Sequence, residues 1–193
     1  MNKIAKNAAI LTIITLISGL LLGIVYEITK QPIAEAKDAA KKTAWQAVFP
    51  DASLDEFKPQ DVDQKAAVKV AADLGVKATV DEVCVVGDKG FVVTVTDAEG
   101  YGGNITITVG IKKDGSISGI SILSISETAG LGMRATEKEF QNQYIGKQAQ
   151  RFYVSKDGGN GEPIDALSGA TITSRAMTGA VNTALAYTQK VLL

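Results

Sequence analysis

The sequence predicts an α+β fold: a single N-terminal transmembrane helix, then a domain with a twisted, mainly antiparallel sheet and packed helices. Three observations predict it. Residues 7–26 are twenty residues without a charge, between Lys6 and Glu27. Between Lys77 and Ser126, four runs rich in Val, Ile and Thr are separated by short turn-forming segments. Near the other end, residues 175–190 carry Met177, Val181, Ala184, Leu185 and Thr188 on one face at helical spacing.

The charge-free run, as a helix, spans about 30 Å, the thickness of a bilayer's hydrocarbon core. Membrane lipid is therefore its expected surrounding. Lys3 and Lys6 precede the run, but Lys30, Lys37, Lys41 and Lys42 follow it, so a plain count of cations does not orient it. Ser18, Gly19 and Gly23 lie on one side. They form either a close-packing face for a partner helix or an incidental feature of a lipid-exposed anchor. The small-x-small triplet Ala34-Glu35-Ala36 lies well beyond the run, past Glu27, Lys30 and Pro32, and the run is long for a signal core. Both points argue for a retained anchor over a cleaved leader.

Pro32 suits the start of a second helix, reaching about Phe49 after a break and ended by Pro50. Residues 51–60 read as polar and irregular, and 61–74 as a helix capped by Asp61. The strand runs are 80–86, 91–96, 104–111 and 116–126, and their short links make antiparallel neighbours. Ile117, Ile120, Ile122 and Ile125 do not alternate strictly, which predicts a bulge near Gly119 or Ser121. Residues 136–144 read as a short helix and 156–162 as a Gly-rich mobile loop. The expected division is 1–28 anchor, 29–76 helical linker and start of the soluble part, and 77–193 main domain.

The chain has 193 residues and a formal net charge of -1, so there is no basic surplus and no nucleic-acid partner is expected. It has no His, which removes His-ligated haem or zinc and a Ser-His-Asp triad. Its one Cys, Cys84, cannot supply a four-thiolate cluster or an internal disulfide, and its apolar neighbours mark it as a core residue. No metal site is expected. Redox chemistry here would need an organic cofactor.

The stretch Asp165-Ala166-Leu167-Ser168-Gly169-Ala170-Thr171-Ile172-Thr173-Ser174 places hydroxyls and small residues where the last helix begins. Free N–H groups and the helix dipole favour a phosphate there. Ser168, Thr171, Thr173 and Ser174 add donors, while Gly169 and Ala170 let the backbone come close. Ordinary capping by Ser or Thr is the competing reading.

Asp-x-x-Ser-Gly-Ala-Thr resembles the acceptor motif of proteins that carry FMN covalently, joined through the phosphate to the last Thr, here Thr171. Glu127-Thr128-Ala129-Gly130-Leu131-Gly132 resembles the Glu-Thr-Pro-Gly-Leu-Gly loop of the same domain family, with Ala129 in place of Pro. Tyr101-Gly102-Gly103 resembles a third, weaker element. With the membrane segment, these are similar to the G subunits of Rnf complexes, ion-translocating ferredoxin:NAD oxidoreductases. The resemblance implies a flavoprotein that passes electrons between centres in other subunits of a membrane redox complex and has no catalytic acid, base or nucleophile of its own. It implies a flavin transferase, using FAD and Mg²⁺, that attaches the FMN. It also implies an inner-membrane, single-pass location with residues 77–193 as an FMN-binding domain outside the cytoplasm. In that domain Leu131 would lie against the ring or be the one buried Leu of a tight turn, Thr128 would hydrogen-bond flavin or loop, Glu127 would cap the turn or hold its backbone, and Tyr101 would offer a stacking face or be a core Tyr. Gly130 and Gly132 would supply backbone freedom. Asp165 either opens the motif that the transferase would read or is a turn carboxylate. Arg134, Lys138, Lys147 and Arg175 are the cations to consider, and none is assigned. Two other readings use the same residues: a stand-alone membrane-anchored flavoprotein for extracellular electron transfer or redox sensing, and a non-redox module that binds a phosphorylated ligand.

Overall fold

The computed structural model describes residues 2–193, which form two compact units, one ending at Lys41 and one running Lys42–Leu193. Helix α1 is Lys3–Val48. Its most apolar window has a mean hydropathy of 2.6, and none of that window is buried within the protein. Among the described residues it is the one helix long and apolar enough to cross a membrane. Its hydroxyls are satisfied locally: Thr12 donates to the Ala8 carbonyl at 2.9 Å and Thr15 to that of Leu11 at 3.1 Å. The break expected at Pro32 does not occur, and Pro32 lies inside α1. A proline removes one backbone donor. Here the orphaned carbonyl is that of Ile28, an exposed residue.

In the second unit, five strands form one sheet: β1 (Phe57–Gln60), β2 (Ala78–Val86), β3 (Gly90–Asp97), β4 (Ile105–Lys112) and β5 (Ile117–Ser124). The spatial order is β1-β2-β3-β4-β5, every neighbouring pair antiparallel, as the short links predict. Strand β1 falls in the segment read as irregular. Phe57 is its one buried residue, and Pro59 is tolerable because β1 is an edge strand.

Period-two alternation gives the sheet two buried faces. Val83, Val93, Val95, Ile107 and Val109 belong to the larger core, with α4 (Thr171–Tyr187) and α2 (Gln64–Leu74). Cys84, Val86 and Val92 belong to a second cluster with Trp45, Val48, Phe49 and Phe57, in which Trp45 stacks on Phe57 at 5.6 Å. Cys84 is fully buried, as its neighbours suggest. The bulge expected near Gly119 is present. Gly110 pairs with Gly119 but Ile111 pairs with Ile117, leaving Ser118 as the extra residue; a second shift leaves Leu123 extra. The Gly110–Gly119 pair makes room for the last residue of α1: a Cβ on either would come within 2.9 Å of Val48.

Helix α2 begins later than expected, and its cap is Asp63, not Asp61; Asp63 Oδ1 accepts from Ala66 N–H at 3.0 Å. The helix expected over 136–144 is only α3 (Lys138–Gln141), because extended backbone at Glu137 (ψ 138°) separates it from a 3-10 turn at Gly132–Thr136. Two three-residue strands, β6 (Phe152–Val154) and β7 (Glu162–Ile164), pair in parallel and flank the Gly-rich segment. Three residues are too few to show a period in sequence. Asn182 of α4 fixes β6, donating to the Phe152 carbonyl at 2.9 Å and accepting from its N–H at 2.8 Å. Helix α4 starts at Thr171, four residues before the predicted 175, so most of the hydroxyl run lies in its first turn.

Candidate functional site

The N-cap position of α4 is Ala170, with φ −132° and ψ 48°, and no side-chain cap bond is present. Capping by Ser or Thr is therefore not what this helix start does, and its first N–H groups keep no side-chain partner there. Ser174 turns inward instead. Its hydroxyl donates to the Ala170 carbonyl at 2.9 Å, accepts from Leu167 N–H at 3.0 Å, and is fully buried. Thr171 is half-buried, Thr173 is 1% exposed, and Gly169 takes the left-handed conformation at φ 75°.

The segment after β5 comes back to meet this turn. The Thr128 carbonyl accepts from both Leu131 and Met133 N–H at 3.1 Å, which tightens the loop. Gly130 is there for its backbone, φ 75°, whereas Gly132 is there for space: a Cβ on it would lie 2.6 Å from Thr173 Oγ1 and 2.7 Å from Glu127 Oε2. A Cβ on Gly169 would lie 3.1 Å from Leu131 Cδ2, so the two motifs touch. The third segment joins through Glu127, whose Oε1 accepts from Gly102 N–H at 3.2 Å.

These segments enclose a cleft of about 580 Å³, lined by Tyr101, Glu127, Thr128, Leu131, Gly132, Gly169, Ala170, Thr171 and Thr173, and also by Lys156 and Ile172. Tyr101 is 70% and Leu131 43% exposed, two uncovered ring-sized or aliphatic faces in one concavity. Of the other residues singled out in sequence, Ser174 points away into the core. Ser168 lines a separate cavity of about 260 Å³ with Arg134, Glu137, Gln143 and Asp165. Asp165 is held by its neighbours: Gln143 bonds its N–H and carbonyl at 2.7 and 3.3 Å, and Ser155 donates to its Oδ1 at 3.1 Å. A larger groove of about 840 Å³ runs along edge strand β5, away from all the predicted site residues.

None of the four cations considered in sequence lines the cleft. Arg134 pairs with Glu137 at 3.3 Å, Lys147 with Glu162 at 3.3 Å, and Lys138 lines the β5 groove. Arg175 forms a two-point pair with Asp157, Nε to Oδ2 at 2.8 Å. That bond holds the Asp157 carboxyl below the usual carboxylate range and raises the guanidinium. Lys156, in the 3-10 turn Ser155–Asp157, is the cation that does line the cleft. Sequence reading missed it because it sits in the segment taken for a mobile loop. Beyond the cleft, Asp97 is fully buried at the end of β3. Its Oδ1 accepts from Glu99 N–H at 2.8 Å, while Oδ2 has no hydrogen-bond partner among the described residues. Burial pushes this carboxyl up to about 6.

Comparison with known proteins bears on this cleft. The family described as FMN-binding domain matches residues 100–186, and the RnfG N-terminal region matches residues 1–48. The G subunit of the proton-translocating ferredoxin:NAD(+) oxidoreductase complex of Clostridium ljungdahlii is 34% identical over 183 residues, 94% of this chain and 88% of that protein. The G subunit of the Na(+)-translocating complex of Acetobacterium woodii is 32% identical over 188 residues, covering 92% and 87%. A crystal structure of NqrC from Shewanella oneidensis is 26% identical, with a TM-score of 0.45 over 56% of this chain and 57% of that one. With identity above 30% along nearly the whole chain, and both family regions in the order in which they occur here, the chain belongs to the family of G subunits of ion-translocating ferredoxin:NAD oxidoreductase complexes.

Proposed function

We propose that this chain is the FMN-carrying electron-transfer subunit of a membrane-bound, ion-translocating ferredoxin:NAD oxidoreductase complex, with the FMN phosphate esterified to Thr171. The observation that carries the proposal is convergence. Segments around 101, 127–132 and 169–173, far apart in sequence, share one cleft at an uncapped helix start. The cleft's volume lies within the range of small-molecule sites. A Cβ on Gly132 would crowd Thr173 and Glu127, and one on Gly169 would crowd Leu131, so the glycines let these cleft-lining segments close on one another. The residues present therefore fit FMN, which when bound supplies one- and two-electron chemistry.

The chain's own residues bind and orient. Thr171 offers a reachable hydroxyl, whereas Thr173, 1% exposed, is packed under Gly132. The α4 dipole favours a phosphodiester at Thr171 by about 0.3–1 kcal/mol, too little to retain a cofactor without the ester. Leu131 and Tyr101 would cover the faces of a flat ring and limit water. Glu127 holds the Gly102 loop in place to do so. Nothing in the chain resembles a nucleotide-transfer site, so attachment needs a separate flavin transferase using FAD and Mg²⁺. Helix α1 would anchor the chain in lipid, with the flavin-bearing domain on the extracytoplasmic side.

The test is mass. Full-length chain produced with the transferase should weigh one FMN residue more than its amino acids. Fragmentation of the peptide containing Ser168–Arg175 should put that mass on Thr171. A chain at its plain polypeptide mass would overturn the covalent reading.

A further inference from the structure

We infer that Lys156 is the cation that receives the flavin's phosphate, an inference that rests on the cleft being the FMN site. Thr171 and Arg175 are four residues apart on α4 and so lie one above the other on the same helix face. Arg175 is the obvious cation for a phosphate at Thr171, but its guanidinium is occupied by Asp157 at two points. The pair has a different consequence. It ties the 3-10 turn Ser155–Asp157 to the first turns of α4. Ser155, at the other end of the same turn, bonds Asp165, the first residue of the motif. Held at both ends, the turn presents its middle residue, Lys156, to the cleft wall that also contains Gly169, Ala170 and Thr171.

Charge points the same way. Glu127 and Lys156 are the two ionic side chains lining the cleft. Glu127 is engaged with the backbone of Gly102 and is packed against Gly132. No ion pair to Lys156 is present among the described residues, while Arg134, Lys147 and Arg175 each have one. A phosphate entering the cleft would find the first N–H groups of α4, the Thr171 hydroxyl and one uncommitted ammonium. Lys is suited to this as a point charge on a flexible stem.

Free flavins separate the phosphate from the ring. Unmodified full-length chain in detergent is titrated with FMN and with riboflavin, following flavin fluorescence. Wild type should bind FMN more tightly than riboflavin. Lys156→Gln should weaken FMN by about two- to fivefold, the scale of an exposed charged contact, and leave riboflavin unchanged. Lys156→Arg should keep most of the preference, and added salt should erode it. Equal loss of both ligands, or of neither, in Lys156→Gln overturns the assignment. Riboflavin binding with no preference for FMN in wild type overturns it as well while leaving the cleft as a flavin site. Failure of wild type to bind either flavin sinks the cleft reading and this inference with it.

Discussion

Thr171 and Leu131 face the same cleft but answer different questions. Thr171→Ala removes a hydroxyl and a methyl from a half-buried position and should abolish flavin attachment, with stability changed by no more than about 1 kcal/mol. Intact mass and a denaturation curve check the two halves of that statement, and FMN persisting in the variant would move the acceptor elsewhere. Leu131→Asp puts a charge where an aliphatic face is uncovered. It should leave attachment intact but shift the flavin's absorbance and midpoint potential; an unchanged spectrum and potential would place the ring away from this loop. At this scale the sequence was partly legible. The motif residues announced themselves, and most of them share one cleft. What spacing could not reveal was direction. Ser174 is a helical residue whose hydroxyl bonds back to Ala170, and Ser168 faces the neighbouring cavity. Both look the same as Thr171 on paper, because orientation depends on where α4 begins.

The elements read best where their period is long. Four of the five sheet strands and α4 were visible as runs of Val, Ile and Thr or as a helical stripe, and even the bulge at Gly119 showed as broken alternation. Strand β1 was not visible, since Phe57 is its one buried residue and pairing to β2, not pattern, defines it. The same holds for β6 and β7, fixed by Asn182 from a distant helix. The start of α2 shows how close a cap can be misread: Asp61 and Asp63 are both plausible, but only Asp63 reaches the Ala66 N–H. Asp63→Ala should cost about 0.5–2 kcal/mol and Asp61→Ala much less, as urea unfolding of the two variants would show.

At the scale of the whole molecule, Asp97 is the buried carboxyl among the described residues, and the cleft does not use it. Asp97 has a native value near 6 against an ordinary value of 3.8, so between those values the folded chain holds a proton that the unfolded chain has released. Stability from this group is complete below the unfolded value and falls as pH rises through about 6. The loss is on the order of 2–3 kcal/mol. Asp97→Asn should therefore be close to wild type at pH 4 and more stable at pH 7.5, with fluorescence of the single Trp45 as the probe. Equal stability differences at the two pH values would show that the carboxyl is not desolvated. A solubilised native preparation tests the largest scale: the chain should co-purify with polytopic partners carrying other redox centres, and recovery as a lone monomer would favour a stand-alone flavoprotein. The sheet's order, identical to the order of its strands along the chain, has its own corollary. Each strand can zip onto the one synthesised just before it, so the sheet needs no distant partner to start. One apolar side, with Val83, Val93, Val95 and Ile107, is covered only in part by α2 until α4 lies down on it. A ribosome that stalls before residue 171 would thus release a nearly finished sheet with a sticky flank, a species to be sought among aggregates and proteolytic products.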